Sequence, residues 1–498
     1  MARERERAPI AVQARRATPM VGFRAMSADA APSRLERVAV SLTRAAERFV
    51  PDAFVFALIG TVLVVVSAMV ATPTPPLEVV ELWGRGFWEL LPFTLQMALV
   101  VITGSVLASA PPVLRAIRAL AAVPRSAQGA VAYVAFFAMT SSWLNWGFSL
   151  MFSAMLAKEV ARRLPAADYR ALAASSFLGL GSVWAQGLSG SAALQMASPT
   201  AMTPAIREIV AHGDVAPGGI VPLTETIFLW QSLAAVVVEI VVVTLVVWLA
   251  APRGERSKSA ADLGIALDDA GESEPLPAPR ATVGDWLEHT PLLSIAFVAL
   301  AGTYLVRYFV RAPSVLTAIN LDTVNLAFLT LGVALHGTPA RLMRAVREAT
   351  PAVWGILLQF PFYAGIAAVI AKTHLNALIA GWFVGVSSAA SFPALIAAYS
   401  AVLGIFVPSG GSKWVIEAPY VMQAAHELRV HLGWMVACYD LGEALANLVQ
   451  PFWMLPVLGL FRLRARDVMG FTLLVFLVLA PLVLVLVTVL GMTLSYPR

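Results

Sequence analysis

Four short polar stretches interrupt long apolar sequence, and their residue types suit the binding of a small anion: NWGF at residues 145–148, GLSGS at 187–191, VPSGG at 407–411 and NLVQPFW at 447–453. In hydrocarbon an unpaired backbone group costs several kcal/mol, so irregular chain persists there only where protein or a water-filled cavity satisfies it. Such a break exposes helix N-termini, whose free N–H groups and dipole favour negative charge. Ser409 is placed to cap the helix after the VPSGG turn, and Gly410 and Gly411 allow close backbone approach. Asn145 and Gly147 offer the same in the first stretch. Ser189, Ser191, Asn447 and Gln450 are expected to face these tips, with Gln359 at a matching distance before the second one. Small residues also serve tight helix packing in membranes, but four such motifs in related places favour a site.

Ionisable residues inside apolar runs need a partner, a cavity or neutralisation. Glu443 lies one helical turn before Asn447 and is the expected proton or cation coupling residue, ahead of Asp440. Lys413 and Glu417, four residues apart, suit a mutual ion pair as well as they suit a role for Lys413 in attracting a carboxylate. Glu239, in VVVEIVVV, has no partner visible in the sequence and is expected to face another helix. Trp146, Phe148, Phe360, Phe362, Tyr363, Trp414, Phe452 and Trp453 adjoin the polar points and could wall a pocket for a short aliphatic tail, although single Trp residues more often anchor at membrane interfaces.

The elements that position these residues follow from composition. The chain has 498 residues, 59% hydrophobic and 13% charged, with a mean hydropathy of +0.77. That is the balance of an all-α polytopic membrane protein, not of a soluble domain. The net charge of +5 resides in an Arg-rich N-terminus and a few loops, so it reports topology and not nucleic-acid binding. Cys438 is the single cysteine, which excludes an internal disulfide framework and a cysteine zinc site, and no metal or organic cofactor is expected.

Residues 1–32 read as a disordered tail and 33–50 as an interfacial helix opened by a Ser33/Glu36 capping box. A first transmembrane half occupies 51–251, an acidic cytosolic linker 252–288, and a second half 289–498. About nine crossings are expected, near 52–71, 91–110, 170–196, 226–250, 291–312, 318–336, 352–372, 432–461 and 468–493. Regions 129–157 and 392–427 are broken midway and read as re-entrant hairpins. Basic residues then cluster on one side, which places the N-terminus in the cytoplasm and the C-terminus outside. Gln96 and Gly147 are 51 residues apart, as are Gln359 and Gly410. Each hairpin is followed by a broken segment, so the chain reads as an inverted repeat with two re-entrant hairpins and two broken helices, a pattern of secondary transporters.

Several separated stretches also carry a family resemblance: WGRGFWELLPFTLQMALVVITG from Trp83, NWGF, KEVARRLP from Lys158, GLSGS, TVNLAFLTLGVALHGTP from Thr323, GILLQFPFYAGI from Gly355, VPSGG and NLVQPFWMLP. Together, from about Phe49 to Leu490, they resemble the short-chain fatty acid transporter family of the AtoE type, within a wider ion-transporter superfamily of two-hairpin folds. The resemblance implies an inner-membrane carrier for acetoacetate, butyrate or similar monocarboxylates, coupled to H+ or Na+, moving elevator-fashion, and a homodimer in a lipid bilayer. Ser412 and Lys413 stand where members usually have a third Gly or a non-cationic residue. A C4-dicarboxylate or other organic-anion carrier of the same fold is the alternative. An intramembrane serine protease, suggested by G-x-S-G around Ser189, would not require the second matching half and has only His336 as a nearby base. With no Walker-type loop, ATP-driven transport by this chain is disfavoured.

Overall fold

The computed structural model describes residues 53–198, 200–211, 219–267, 282–312, 318–406, 410–450 and 452–496. Their regular elements are helices, and no strand occurs among the described residues. In the first half, α1 (Ala53–Ala71), α2 (Pro76–Gly86), α3 (Leu91–Ala108) and α4 (Pro111–Leu120) lead to a hairpin of α5 (Ala127–Leu144) and α6 (Trp146–Arg163). Then come α7 (Tyr169–Phe177), an irregular stretch, α8 (Ser191–Ala197), α9 (Pro204–Ala211) and α10 (Trp230–Ala250). After α11 (Val283–His289), the second half opens with α12 (Leu292–Arg311), α13 (Leu321–His336), α14 (Pro339–Ala349), α15 (Trp354–Lys372) and α16 (Leu375–Val386). Its hairpin is α17 (Phe392–Phe406) and α18 (Gly410–Glu427), followed by α19 (Leu432–Ala446), a second break, α20 (Leu455–Phe461) and α21 (Ala465–Gly491).

Helices α3, α10, α12, α15 and α21 are long and apolar enough to cross a bilayer, and α1, α13, α16 and α17 contain shorter apolar segments. The expected crossings at 170–196 and 432–461 are each interrupted, as the sequence breaks require. Local chemistry sets the boundaries. Ser126 caps α5, Asp168 accepts from the Arg170 and Ala171 N–H groups at the start of α7, and Asn320 and Thr323 form a capping box on α13. Each hairpin is laced by hydroxyls: Ser149 donates to the Ala138 carbonyl at 2.7 Å across the first, and the Tyr399 and Tyr420 hydroxyls meet at 3.1 Å across the second.

The packing repeats between halves. α3 packs on α6 as α15 does on α18; α4 packs on α6 as α16 does on α18; α5 packs on α7 and α10 as α17 does on α19 and α21. The flanking pairs are exchanged: α1 and α2 pack on α15, whereas α13 and α14 pack on α3. α3 and α15 also touch each other, so each half supplies the other's outer support.

The tail and the interfacial helix, residues 1–50, lie outside the described residues, as does 268–281 of the linker. The start of that linker is pinned: Ser257 Oγ donates to the Ala166 carbonyl at 2.8 Å, and the Lys258 N–H donates to Asp168 at 3.0 Å. Its end is the helix α11, which the sparse apolar periodicity did not predict.

Candidate functional site

The first hairpin turns at Asn145, whose extended backbone (φ −159°) ends α5 and whose Oδ1 accepts from the Phe148 N–H at 2.8 Å. The turn presses against α3. A Cβ on Gly104 would lie 2.4 Å from Asn145 Oδ1, so that position needs glycine for this approach, and one on Gly147 would lie 3.3 Å from the Val100 carbonyl, a tight fit. The first break straps the same tip. Ser189 Oγ accepts from the Trp146 N–H at 2.9 Å, satisfying one orphan donor of α6, and the Leu188 N–H donates to the Trp143 carbonyl at 2.7 Å. Ser189 is thus an internal brace, and His336, the base required for a protease, is turned to the Val106 carbonyl.

The second hairpin restarts as α18 at Gly410; Ser409 lies outside the described residues. This tip faces the first break. Added Cβ atoms would stand 2.7 Å from the Trp184 ring at Gly410 and 3.1 Å from Ser191 Cβ at Gly411. The two breaks meet where Asn447 Nδ2 donates to the Leu180 carbonyl at 2.9 Å, and within the second break Gln450 Nε2 donates to Asn447 Oδ1 at 2.7 Å.

A cavity of about 30 Å3 lies where the tips and breaks converge; a single water takes about 10 to 15 Å3 by this measure. Ser191, Gly410, Gly411 and Asn447 supply its small and polar walls, and Trp146, Phe360 and Trp453 three of its aromatic walls. Four lining residues carried no signal in the sequence: Met97, Leu180, Trp184 and Ile356. Met97 and Ile356 sit beside Gln96 and near Gln359, so the paired spacing located the right helices. The Trp146 ring stands edge-on to Trp184 and to Trp453, with centroids 6.1 and 5.3 Å away. Asn145, Gly147, Ser189 and Gln450 build the walls from behind, and Gln359 is buried on α15 without lining the cavity.

Beside the cavity is a buried charge cluster. The Lys413 ammonium pairs with Glu443 Oε2 and stands 3.7 Å from Glu417 Oε1. It also donates to the Ser400 carbonyl and lies 4.9 Å from the centre of the Tyr439 ring. Ser400 Oγ donates to Glu417 at 2.6 Å, and the Tyr439 hydroxyl donates to the Gly410 carbonyl. The ammonium is therefore held by carboxylates and a carbonyl, and Lys413 does not line the cavity. Asp440 is buried on α19 one turn before Glu443. Glu239 does face another element: Gln186 Nε2 in the first break donates to both of its oxygens at 3.1 Å.

Comparison with known proteins identifies the fold and the family. The chain resembles the YdaH transporter of Alcanivorax borkumensis (17% identity, TM-score 0.57, 89% of this chain and 98% of that one). It also resembles MtrF of Neisseria gonorrhoeae, described among antimetabolite efflux pumps (14% identity, TM-score 0.58, 93% and 98%). These likenesses establish the fold. In sequence, a candidate short-chain fatty acid transporter of Haemophilus influenzae is 34% identical over 91% of this chain and 99% of its own length. One from Escherichia coli is 37% identical over 87% and 95%. The family profile described as short chain fatty acid transporter matches residues 34–491, and the chain belongs to that family.

Proposed function

We propose that this protein is a secondary carrier of short-chain monocarboxylates such as acetoacetate or butyrate across the cytoplasmic membrane. The observation that carries the reading is the cavity at the meeting of two hairpin tips and two broken helices. The N-terminus of α18 and the Ser191 hydroxyl offer donors for one carboxylate, while Met97, Ile356, Phe360 and the indoles offer an apolar surface for a short tail. No charged side chain lines the cavity among the described residues, which disfavours a C4-dicarboxylate, whose second carboxylate would be desolvated without a partner.

Coupling runs through H+ or Na+, with Glu443 and Asp440 as the acids nearest the cavity on α19. The cluster of hairpins and breaks moves as a unit against α1, α2, α13 and α14 in an elevator-like step, with the N-terminus cytoplasmic, the C-terminus outside, and two copies per assembly. The test is uptake of labelled butyrate, acetoacetate and succinate by reconstituted vesicles under imposed proton or sodium gradients. Accumulation of the monocarboxylates supports the reading; uptake of succinate alone overturns it.

A further inference from the structure

Lys413 is poorly suited to its place in its own helix. A cation in the first turn of α18 meets the positive end of the helix dipole, and an ammonium buried within a membrane protein requires partners. What surrounds it is a shell of oxygens from three helices: a Glu443 carboxylate oxygen from α19, a Glu417 oxygen at 3.7 Å from α18, and the Ser400 carbonyl from α17. Ser400 also fixes Glu417 through its hydroxyl at 2.6 Å. The absence of a side chain at Gly404 keeps the space open, because a Cβ there would lie 2.9 Å from Glu443 Oε2 and 3.3 Å from the ammonium. Two carboxylates and a backbone carbonyl at the junction of half-helices form a donor set suited to a hard monovalent cation. The shell adjoins the cavity, since a Cβ on Gly410 would stand 3.2 Å from Glu443 Cγ.

We propose that Lys413 is a tethered cation: its ammonium fills the position that a metal cation would take in the second hairpin, so that this site carries its positive charge permanently and transport requires no Na+ there. The proposal rests on the transporter reading and narrows its choice of coupling ion. Removing the ammonium should turn a sodium-indifferent protein into a sodium-binding one.

The test uses the full chain, as wild type, Lys413→Ala, and Lys413→Ala with Glu443→Gln. Thermal unfolding in detergent is followed as NaCl replaces choline chloride at constant ionic strength and pH. The wild type should melt at the same temperature throughout, Lys413→Ala should be stabilised by Na+ in a saturable manner, and the double variant should lose that response. Recovery of folded Lys413→Ala only when Na+ is present would also support the proposal. In vesicles, butyrate uptake by Lys413→Ala should rise about tenfold with Na+, against no change for the wild type. Saturable stabilisation of the wild type by Na+, sodium-dependent wild-type uptake, or a folded Lys413→Ala indifferent to Na+ would overturn it. The melting arm needs no substrate, so its result stands even if butyrate is not carried.

Discussion

Lys413 and Glu443 form an ion pair between α18 and α19 with side chains 0% and 2% exposed, locking the second hairpin to the helix that leads into the second break. Under the proposed function, Glu443 is the residue through which coupling would act on the cavity. Glu443→Gln should abolish gradient-driven accumulation while leaving binding or exchange. It should also lower stability by about 3 to 5 kcal/mol, because a buried ammonium loses a partner. Accumulation and counterflow in the same vesicles separate the two effects; unimpaired accumulation would exclude the coupling role.

The two serines of GLSGS should part company. Ser191 lines the cavity, so Ser191→Ala should raise the apparent substrate constant by about fivefold, the equivalent of one hydrogen bond near 1 kcal/mol, at unchanged melting temperature. Ser189 braces the Trp146 N–H, so Ser189→Ala should lower stability by about 1 to 2 kcal/mol with little effect on that constant. Uptake kinetics and melting on both variants decide it.

Trp184 forms a wall between the first break and Gly410. Trp184→Ala should enlarge the cavity and shift preference toward longer acids, each added methylene contributing about 0.8 kcal/mol, or about fourfold. Competition of labelled butyrate by acids of increasing chain length measures the shift. An unchanged order of competition would place Trp184 outside the tail pocket.

Glu239 and Gln186 should behave as a unit. Replacing either with Leu leaves a buried polar group unsatisfied, at a cost of about 1 to 3 kcal/mol, whereas replacing both should restore much of the loss. A double-mutant cycle on melting should give a coupling of about 0.5 to 3 kcal/mol; additive losses would mean that the contact carries no stability.

The breaks were legible because polar, Pro-rich and Gly-rich stretches cannot persist among apolar residues without a local reason, and their spacing identified the repeat. The aromatic pocket was legible in part: Trp146, Phe360 and Trp453 line it, while Trp184, inside an irregular stretch with no periodicity to orient it, gave no signal. The internal bonds of Ser189, Asn447 and Gln450 were not readable, since types that suit ligand binding also suit the hydrogen bonds that a broken helix requires; Asn447 both makes such a bond and lines the cavity. Spacing of four residues paired Lys413 with Glu417, but the tertiary contact with Glu443 is the closer one, and sequence distance carries no information on it. The partner of Glu239 was hidden for the same reason.

The exchange of flanking pairs bears on how the protein is made. During synthesis α1 and α2 emerge long before α15, the helix on which they pack, and α3 emerges before α13 and α14. Until the second half is made, the faces of α1, α2 and α3 that pack on it would have no partner. Separate expression of the halves should yield stable protein only when both are produced together.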